Sequence, residues 1–265
     1  MSVAAGQDTI AAAFAASGKR AALMPYLMGG FPDLESSRAI GEAYAESGAD
    51  LVELGVPFSD PLADGPVIHA AGTAALAAGA TLHGVLEVGR ELAEAVPVVL
   101  MCYANLVFAR GPERFADELA ARSISGLVVP DLPLEEAGGA LAACDAAGVA
   151  LVGLVAPTTP DERLAAIAPT ARGFVYAVMV TGTTGEREGI AAALPAILAR
   201  AKAHFDVPVA VGFGIGTPEA AAEAAAAGAD GVIVGSRLVR AAAEAPDPPA
   251  AAGALVADFA AALRR

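Results

Sequence analysis

Short apolar runs alternate with alanine-rich segments along almost the whole chain. Each run is about seven residues long and nearly continuously apolar, instead of alternating between apolar and polar side chains. That pattern is typical of strands buried on both faces of a parallel sheet. The eight predicted strands are Ala22–Met28, Asp50–Val56, Pro97–Tyr103, Gly126–Leu132, Ala150–Ala156, Gly173–Met179, Pro208–Gly214 and Gly231–Arg237.

The segments between these runs have the composition and punctuation of helices. Thr217 followed by Pro218 and Glu219 is typical of a helix N-terminus, and Gly228 is placed to end the same helix. The predicted helices are Leu34–Ser47, Val85–Ala95, Pro112–Arg122, Glu135–Ala147, Asp161–Ala168, Ile190–His204, Pro218–Ala227 and Gly253–Arg265.

Eight strands, each followed by a helix, predict a (β/α)8 barrel, the TIM-barrel fold of the α/β class. The main rival is a doubly wound open sheet, which normally stops at about five to seven strands. Met1–Gly18 is predicted to form an extra N-terminal helix that closes the bottom of the barrel. The Pro-rich segment Ala245–Gly253 is interpreted as a connection before the last helix. Residues 1–265 are therefore expected to form a single barrel domain.

Composition and charge exclude several classes of protein. Hydrophobic residues make up 56% of the 265 residues, which excludes a disordered chain. The net charge is −14 and there is no basic tract, which argues against nucleic-acid binding. The sequence shows no signal peptide and no apolar stretch long enough to span a membrane. Two cysteines, Cys102 and Cys144, form no metal motif or disulfide framework and predict buried thiols in a cytoplasmic protein without a metal.

Two carboxylates near the end of the second predicted strand are the first candidates for chemistry. Glu53 lies within an apolar strand, where burial raises a carboxyl pKa and suits proton transfer near neutral pH. Asp64 lies eleven residues later, on a loop rich in Pro and Asp. The structural alternatives are a Glu53 that is satisfied by backbone donors and an Asp64 that only shapes a turn. Active sites of barrels lie at the carboxyl ends of the strands, where both acids are expected.

Glycines at the ends of the last two strands predict a phosphate site. Gly212–Gly216 ends the seventh strand and Gly235 with Ser236 ends the eighth, the usual position of a barrel phosphate site. A third glycine-rich segment, Thr181–Gly189, follows the sixth strand and has the composition of a lid or of a surface loop. Tyr176 and Phe213 are candidates for the walls of a pocket for a flat substrate, although aromatic residues in barrel strands often belong to the core.

Four segments carry a resemblance to a known family. LVELGVPFSDPLADGP, MCYANLVF, GLVVPDLPLEE and VGFGIGTPE resemble the α subunit of tryptophan synthase, and the resemblance extends from about Met24 to Val239. It implies a (β/α)8 barrel that cleaves indole-3-glycerol phosphate to indole and glyceraldehyde 3-phosphate. It also implies no cofactor in this chain and a pyridoxal-phosphate-dependent β subunit as partner, in an α2β2 heterotetramer that passes indole through a channel.

The resemblance also implies roles for individual residues. Glu53 and Asp64 match the two catalytic carboxylates of the family, and Asp60 matches a position that faces the β subunit. The positions that match the substrate site are Tyr176 and Phe213 around indole and Gly185, Gly214, Gly235 and Ser236 around the phosphate.

Three other functions stay open at this stage. The chain is alternatively a free-standing lyase for indole-3-glycerol phosphate, which would be fast without a partner. It is alternatively a non-catalytic partner that only activates a β subunit, although Glu53 and Asp64 are both present. A different phosphosugar epimerase or isomerase would share the phosphate loops but would leave the segment PFSDPLADGP unexplained.

Overall fold

Eight parallel strands close into a barrel in which neighbours along the chain are neighbours in space, and the eighth strand pairs with the first. The computed structural model describes residues 6–179, 194–212 and 214–264. This closed barrel confirms the predicted (β/α)8 fold and excludes the open sheet. The strands are β1 (Ala22–Met28), β2 (Val52–Gly55), β3 (Val98–Met101), β4 (Gly126–Val128), β5 (Ala150–Val155), β6 (Val175–Val178), β7 (Val209–Gly212) and β8 (Gly231–Val234).

Helices surround the barrel and connect its strands. They are α1 (Gly6–Ala16), α2 (Leu34–Glu46), α3 (Pro66–Ala77), α4 (Leu82–Leu92), α5 (Ala104–Arg110), α6 (Pro112–Ala120), α7 (Gly138–Ala147), α8 (Asp161–Ile167), α9 (Pro218–Ala226), α10 (Ser236–Glu244) and α11 (Pro248–Arg264). Residues 194–202 are also helical, and two short 3-10 turns cover Leu134–Glu136 and Ala168–Thr170.

The strands are apolar on both faces because each face meets a different part of the core. One set of side chains fills the barrel interior, and a larger set packs outward against the helices. Within the interior, Met24, Val99 and Ile233 come from different strands and pack together. The continuous apolar runs in the sequence are therefore explained by burial on both sides.

Helix α1 closes the amino-terminal end of the barrel, as predicted. Ile10 of this helix is fully buried among residues of the barrel interior. The N–H of Gly6 donates to the carbonyl of Gly148, 2.6 Å away, beside the start of β5. The loops at the carboxyl ends of the strands lie at the other end of the barrel and surround its open mouth.

The structure corrects several boundaries. Most strands are shorter than the predicted runs, because the last residues of those runs leave the ladder and enter the loops. Helices α3, α5 and α10 were not predicted, and α10 begins inside the predicted eighth strand. The Pro-rich segment is not wholly a connection, since α11 already begins at Pro248, where a proline is tolerated in the first helical turn.

Two further predictions concern the cysteines and membrane spans. Cys102 and Cys144 are both buried and unpaired, as the sequence indicated. Across residues 6–179, 194–212 and 214–264, none of the helices has the length and apolar character that crossing a membrane requires.

Candidate active site

Glu53 lies inside the mouth of the barrel. It pairs in register with Tyr26 of β1 on one side and Val99 of β3 on the other. The side chain is 1% exposed, and its Oε1 atom has no hydrogen-bond partner among the residues described. Burial raises the pKa of Glu53 to about 8, and the nearby charge of Asp64 adds to the increase. At neutral pH Glu53 is therefore mainly a neutral acid that can give up a proton.

Asp64 lies on the loop that connects β2 to α3, and it is half-buried. Its Oδ1 accepts a hydrogen bond of 3.0 Å from the hydroxyl of Tyr103. Burial raises the pKa of Asp64, whereas the Tyr103 hydrogen bond and the charge of His69 oppose that increase. The charge of Asp64 also raises the pKa of Glu53, so an ionised Asp64 favours the neutral form of Glu53.

Two buried tyrosines each lie over a glycine at the end of the next strand, Tyr26 of β1 over Gly55 of β2 and Tyr176 of β6 over Gly212 of β7. A Cβ atom on Gly55 would stand 2.0 Å from the Tyr26 hydroxyl oxygen, and one on Gly212 would stand 2.4 Å from that of Tyr176. The glycines therefore leave the space that the phenol rings occupy. Burial and the charge of Glu53 raise the pKa of both tyrosines, so both stay neutral hydrogen-bond donors.

A cavity of about 470 Å³ connects these groups. Apolar side chains of β1, β3, β8 and α3 form most of its wall, and the two acids also line it. The lining residues are Tyr26, Glu53, Asp64, Gly65, Pro66, Val67, Ile68, Met101, Tyr176, Gly214, Ile215, Gly216, Ile233, Gly235, Ser236, Arg237 and Arg240. A largely apolar pocket with a few polar groups is typical of a small-molecule site.

The other polar part of the cavity is the start of α10. Gly235 is the N-cap of this helix, and Ser236 is its first residue. The first N–H groups of a helix lack partners within it and attract anions. Arg237 and Arg240 extend along the same helix and line the same cavity. This part of the site therefore combines backbone donors with two guanidinium groups.

The cavity brings together most of the residues that the sequence singled out. Glu53, Asp64, Tyr176, Gly214, Gly235 and Ser236 all line it. Asp60 does not line it and is exposed on the same loop as Asp64. Gly185 and Phe213 lie outside the described residues.

Sequence reasoning missed three residues of this region, namely Tyr103, Arg237 and Arg240. Arg237 directly follows the glycine-serine pair at the predicted phosphate site and Arg240 comes three residues later, so their charge was a usable signal. Tyr103 ends a predicted strand in the motif MCYANLVF, but nothing local connects it to Asp64, 39 residues earlier.

A second cavity, of about 510 Å³, lies beside α7 and α8. Its charged side chains are Asp131 and Arg163, and Arg163 is bound by Glu135 at the surface. It contains no pair of acids. We therefore assign the chemistry to the cavity at the barrel mouth. Within the part of the chain that the structure describes, no group of three or more His, Cys, Asp and Glu side chains is arranged to hold a metal.

Comparison with known proteins identifies the family. A family model described as "Tryptophan synthase alpha chain" matches residues 13–262. The alpha chain of Prochlorococcus marinus is 52% identical over 223 residues, which are 83% of this chain and 81% of that one. The alpha chain of Synechocystis is 48% identical over 241 residues, which are 89% of this chain and 91% of that one.

Solved structures agree with the sequence comparison. Tryptophan synthase of Mycobacterium tuberculosis matches with a TM-score of 0.89 and 40% identity, over 99% of this chain and 100% of that one. Tryptophan synthase subunit alpha of Legionella pneumophila matches with a TM-score of 0.89 and 35% identity, over 98% and 99% of the two chains. The family model, the curated relatives and the solved structures thus agree, and this chain belongs to the tryptophan synthase alpha chain family.

Proposed function

We propose that Glu53 and Asp64 carry out the reaction of this family in the cavity at the barrel mouth. As a member of the family, the chain is a carbon–carbon lyase of tryptophan biosynthesis that cleaves indole-3-glycerol phosphate to indole and glyceraldehyde 3-phosphate. The observation that carries the assignment of residues is the buried Glu53, whose Oε1 lacks a partner among the described residues and whose pKa is about 8.

The cleavage needs two proton movements. Carbon C3 of the indole ring gains a proton, which removes the aromatic stabilisation that protects its bond to the side chain. The hydroxyl on the adjoining side-chain carbon loses a proton as that bond breaks and an aldehyde forms. Glu53 starts as the neutral acid, gives its proton to C3 and then accepts the hydroxyl proton as a carboxylate. The proton count therefore balances on one residue.

Asp64 supports the same step through charge. Protonation at C3 places positive charge on the indole ring nitrogen. A carboxylate that accepts a hydrogen bond from that N–H stabilises the charge as it develops. Asp64 suits this role because the Tyr103 hydrogen bond favours its ionised form, and because it lines the same cavity as Glu53.

The phosphate belongs at the start of α10. Backbone N–H groups at Gly235 and Ser236, together with the guanidinium groups of Arg237 and Arg240, offer donors and positive charge to an anion. Gly214 contributes a positive-φ backbone position beside them, with φ +87°. Anchoring the phosphate there fixes the other end of the substrate relative to Glu53. Gly185 and Phe213 are proposed as further contacts on the strength of the resemblance alone.

The partner is proposed to cover the barrel mouth. Leu62 is 91% exposed on the Asp64 loop, and Phe108 of α5 is 49% exposed, and both elements follow the carboxyl ends of neighbouring strands. Apolar side chains displayed around an active-site mouth are typical of a protein–protein interface. We assign this face, with Asp60, to a pyridoxal-phosphate-dependent β subunit in an α2β2 complex, and the compartment to the cytoplasm. This chain itself is proposed to need no cofactor.

Indole release from indole-3-glycerol phosphate, measured with and without a tryptophan synthase β subunit, tests the partnership. A channelling subunit is expected to be slow alone and much faster with the partner. Rapid release by the isolated chain, with no increase on adding the β subunit, would contradict the partnership and favour a free-standing lyase. Absence of release under both conditions would contradict catalysis and leave a non-catalytic activator.

A further inference from the structure

We propose that Tyr103 is a positioning residue that holds the Asp64 carboxylate in place and keeps it ionised for the reaction. The inference rests on the proposed role of Asp64 and extends it to a residue on another loop. Tyr103 is buried at the end of the β3 segment, and its hydroxyl contacts the Asp64 loop at two points.

The direction of each hydrogen bond follows from the groups involved. The backbone N–H of Ala63 can only donate, and the Tyr103 hydroxyl oxygen accepts from it at 3.0 Å. The hydroxyl proton is then free to point at Asp64 Oδ1, also 3.0 Å away. Tyr103 therefore bonds the backbone and the side chain of adjacent residues, which fixes both the loop and the carboxylate. One Asp64 oxygen is held by Tyr103, and the other is left for the substrate N–H.

Two further contacts fix the position of Tyr103. It is the N-cap residue of α5, and the N–H of Ala104, the first residue of that helix, donates to Asp131 Oδ1 at 2.8 Å. The ring stacks on Phe58, with centroids 5.2 Å apart and planes inclined by 25°. A side chain fixed by backbone capping on one side and stacking on the other is preorganised for hydrogen bonding. Its position is thus set by the start of α5 and Asp131 on one side and by Phe58 of the Asp64 loop on the other.

Tyr103 also acts on the charge of Asp64. A donor hydrogen bond favours the ionised carboxylate, whereas burial favours the neutral acid. Burial also raises the pKa of Tyr103 itself, so its proton stays on the phenol. The other titratable group that lowers the Asp64 pKa is His69 of α3, and Glu53, Tyr26, Arg237 and Arg240 line the same cavity as Asp64. Among these groups, Tyr103 is the one with a direct hydrogen bond to the carboxylate.

The test is Tyr103→Phe, which keeps the ring and its stacking but removes the hydroxyl. Indole release with a β subunit present is measured from about pH 5 to about pH 9. We expect a fall in kcat of roughly 10-fold or more, because a hydrogen bond to a charged group is lost. We also expect the acidic limb of the pH profile to move to higher pH, since one of the two effects that lower the Asp64 pKa is gone.

Tyr44→Phe is the matched control. Tyr44 is a buried tyrosine of α2 whose hydroxyl donates to the Tyr26 carbonyl at 3.4 Å, away from Asp64. The Tyr44→Phe variant loses the same hydroxyl group as Tyr103→Phe, but that hydroxyl does not bond Asp64. The variant should therefore leave the rate and the pH profile unchanged. A shift of the acidic limb that is equal in both variants would overturn the positioning role.

The double variant Tyr103→Phe with Asp64→Asn separates this inference from the proposed function. If Tyr103 acts through Asp64, the double variant is no slower than Asp64→Asn alone. Full activity of Asp64→Asn would overturn the role of Asp64 itself. A slow Asp64→Asn together with a Tyr103→Phe variant that keeps the natural rate and profile would overturn only the inference about Tyr103.

Discussion

A carboxyl group that is buried without a hydrogen-bond partner costs the folded protein free energy. Glu53 lies between Tyr26 and Val99 in the sheet register, its Oε1 has no partner among the residues that the structure describes, and burial raises its pKa to about 8. An apolar residue of similar size would fit the same layer of the barrel at no such cost. The penalty makes chemical sense when a neutral acid is needed beside the substrate at physiological pH.

Glu53→Gln is predicted to stabilise the protein increasingly as the pH rises. The folded-state pKa of about 8 lies above the ordinary value of 4.5, so the folded chain binds more protons than the unfolded chain between these values. Natural stability therefore falls as the pH rises through this window, whereas glutamine does not titrate. Above pH 8 the difference should be on the order of 5 kcal/mol. Denaturant unfolding at about pH 5 and about pH 9 measures it.

Glu223→Gln is the matched control for this measurement. Glu223 is exposed on α9, so its substitution should change the free energy of unfolding little at either pH. An advantage of Glu53→Gln that stays constant between the two pH values would contradict the assigned pKa.

At the residue scale, the sequence could predict the acids but not the groups that tune them. Glu53 is conspicuous because a carboxylate interrupts an apolar run, and that anomaly is local. The hydrogen bond between Tyr103 and Asp64 joins two loops that meet only because β2 and β3 are neighbours in the barrel. No local pattern carries that contact, so it required the three-dimensional structure.

Among the elements, α1 depends on close approach to the barrel. A Cβ atom on Gly6 would lie 2.0 Å from the carbonyl oxygen of Ser125. Gly126 and Gly231 likewise leave room for Ile10 and Phe14 of α1, since added Cβ atoms would lie 3.1 and 2.9 Å from these side chains. Small residues at the strand starts thus let the helix seal the end of the barrel opposite the active site.

Gly6→Ala is predicted to destabilise the protein by about 1–3 kcal/mol, because the new methyl group meets backbone that cannot rotate away. The measurement is the free energy of unfolding by denaturant. Gly138→Ala is the control, since no atom lies within 4 Å of the added Cβ in α7. That change should be neutral or stabilising by up to about 1 kcal/mol, because alanine favours helix. Equal stability of the Gly6→Ala variant and the natural chain would contradict the close packing of α1 against the barrel.

Elements with a strong periodic pattern were predictable, and elements that begin at the end of a strand were not. The eight strands and the helices α2, α6 and α9 follow from apolar runs and from caps such as Asp33 and Thr217. Helices α5 and α10 begin directly after β-strand segments, with Tyr103 and Gly235 as N-caps that accept no side-chain bond. Their starts carry no capping signal, so α5 was not predicted after the strand that ends at Tyr103, and the predicted eighth strand extended to Arg237, the second residue of α10.

The whole molecule is polarised from one end of the barrel to the other. Helix α1 covers the amino-terminal end, and the carboxyl-terminal end holds the cavity that Glu53, Asp64, Arg237 and Arg240 line. The net charge of −14 makes this pair of arginines a local exception on an acidic protein. A substrate with an anionic end and a flat apolar end is therefore oriented before it reacts.

The decisive experiment compares indole release from indole-3-glycerol phosphate by the natural chain and by Glu53→Gln, both with a β subunit. The chain contains no Trp, so indole fluorescence stands on a quiet background. Glu53→Gln should lose at least about 10²-fold in rate, because glutamine has no acidic proton to transfer. The variant should bind glycerol 3-phosphate as the natural chain does, since the proposed phosphate donors are on α10 and do not include the Glu53 side chain. Turnover at the natural rate in Glu53→Gln would contradict the proton-transfer role of Glu53.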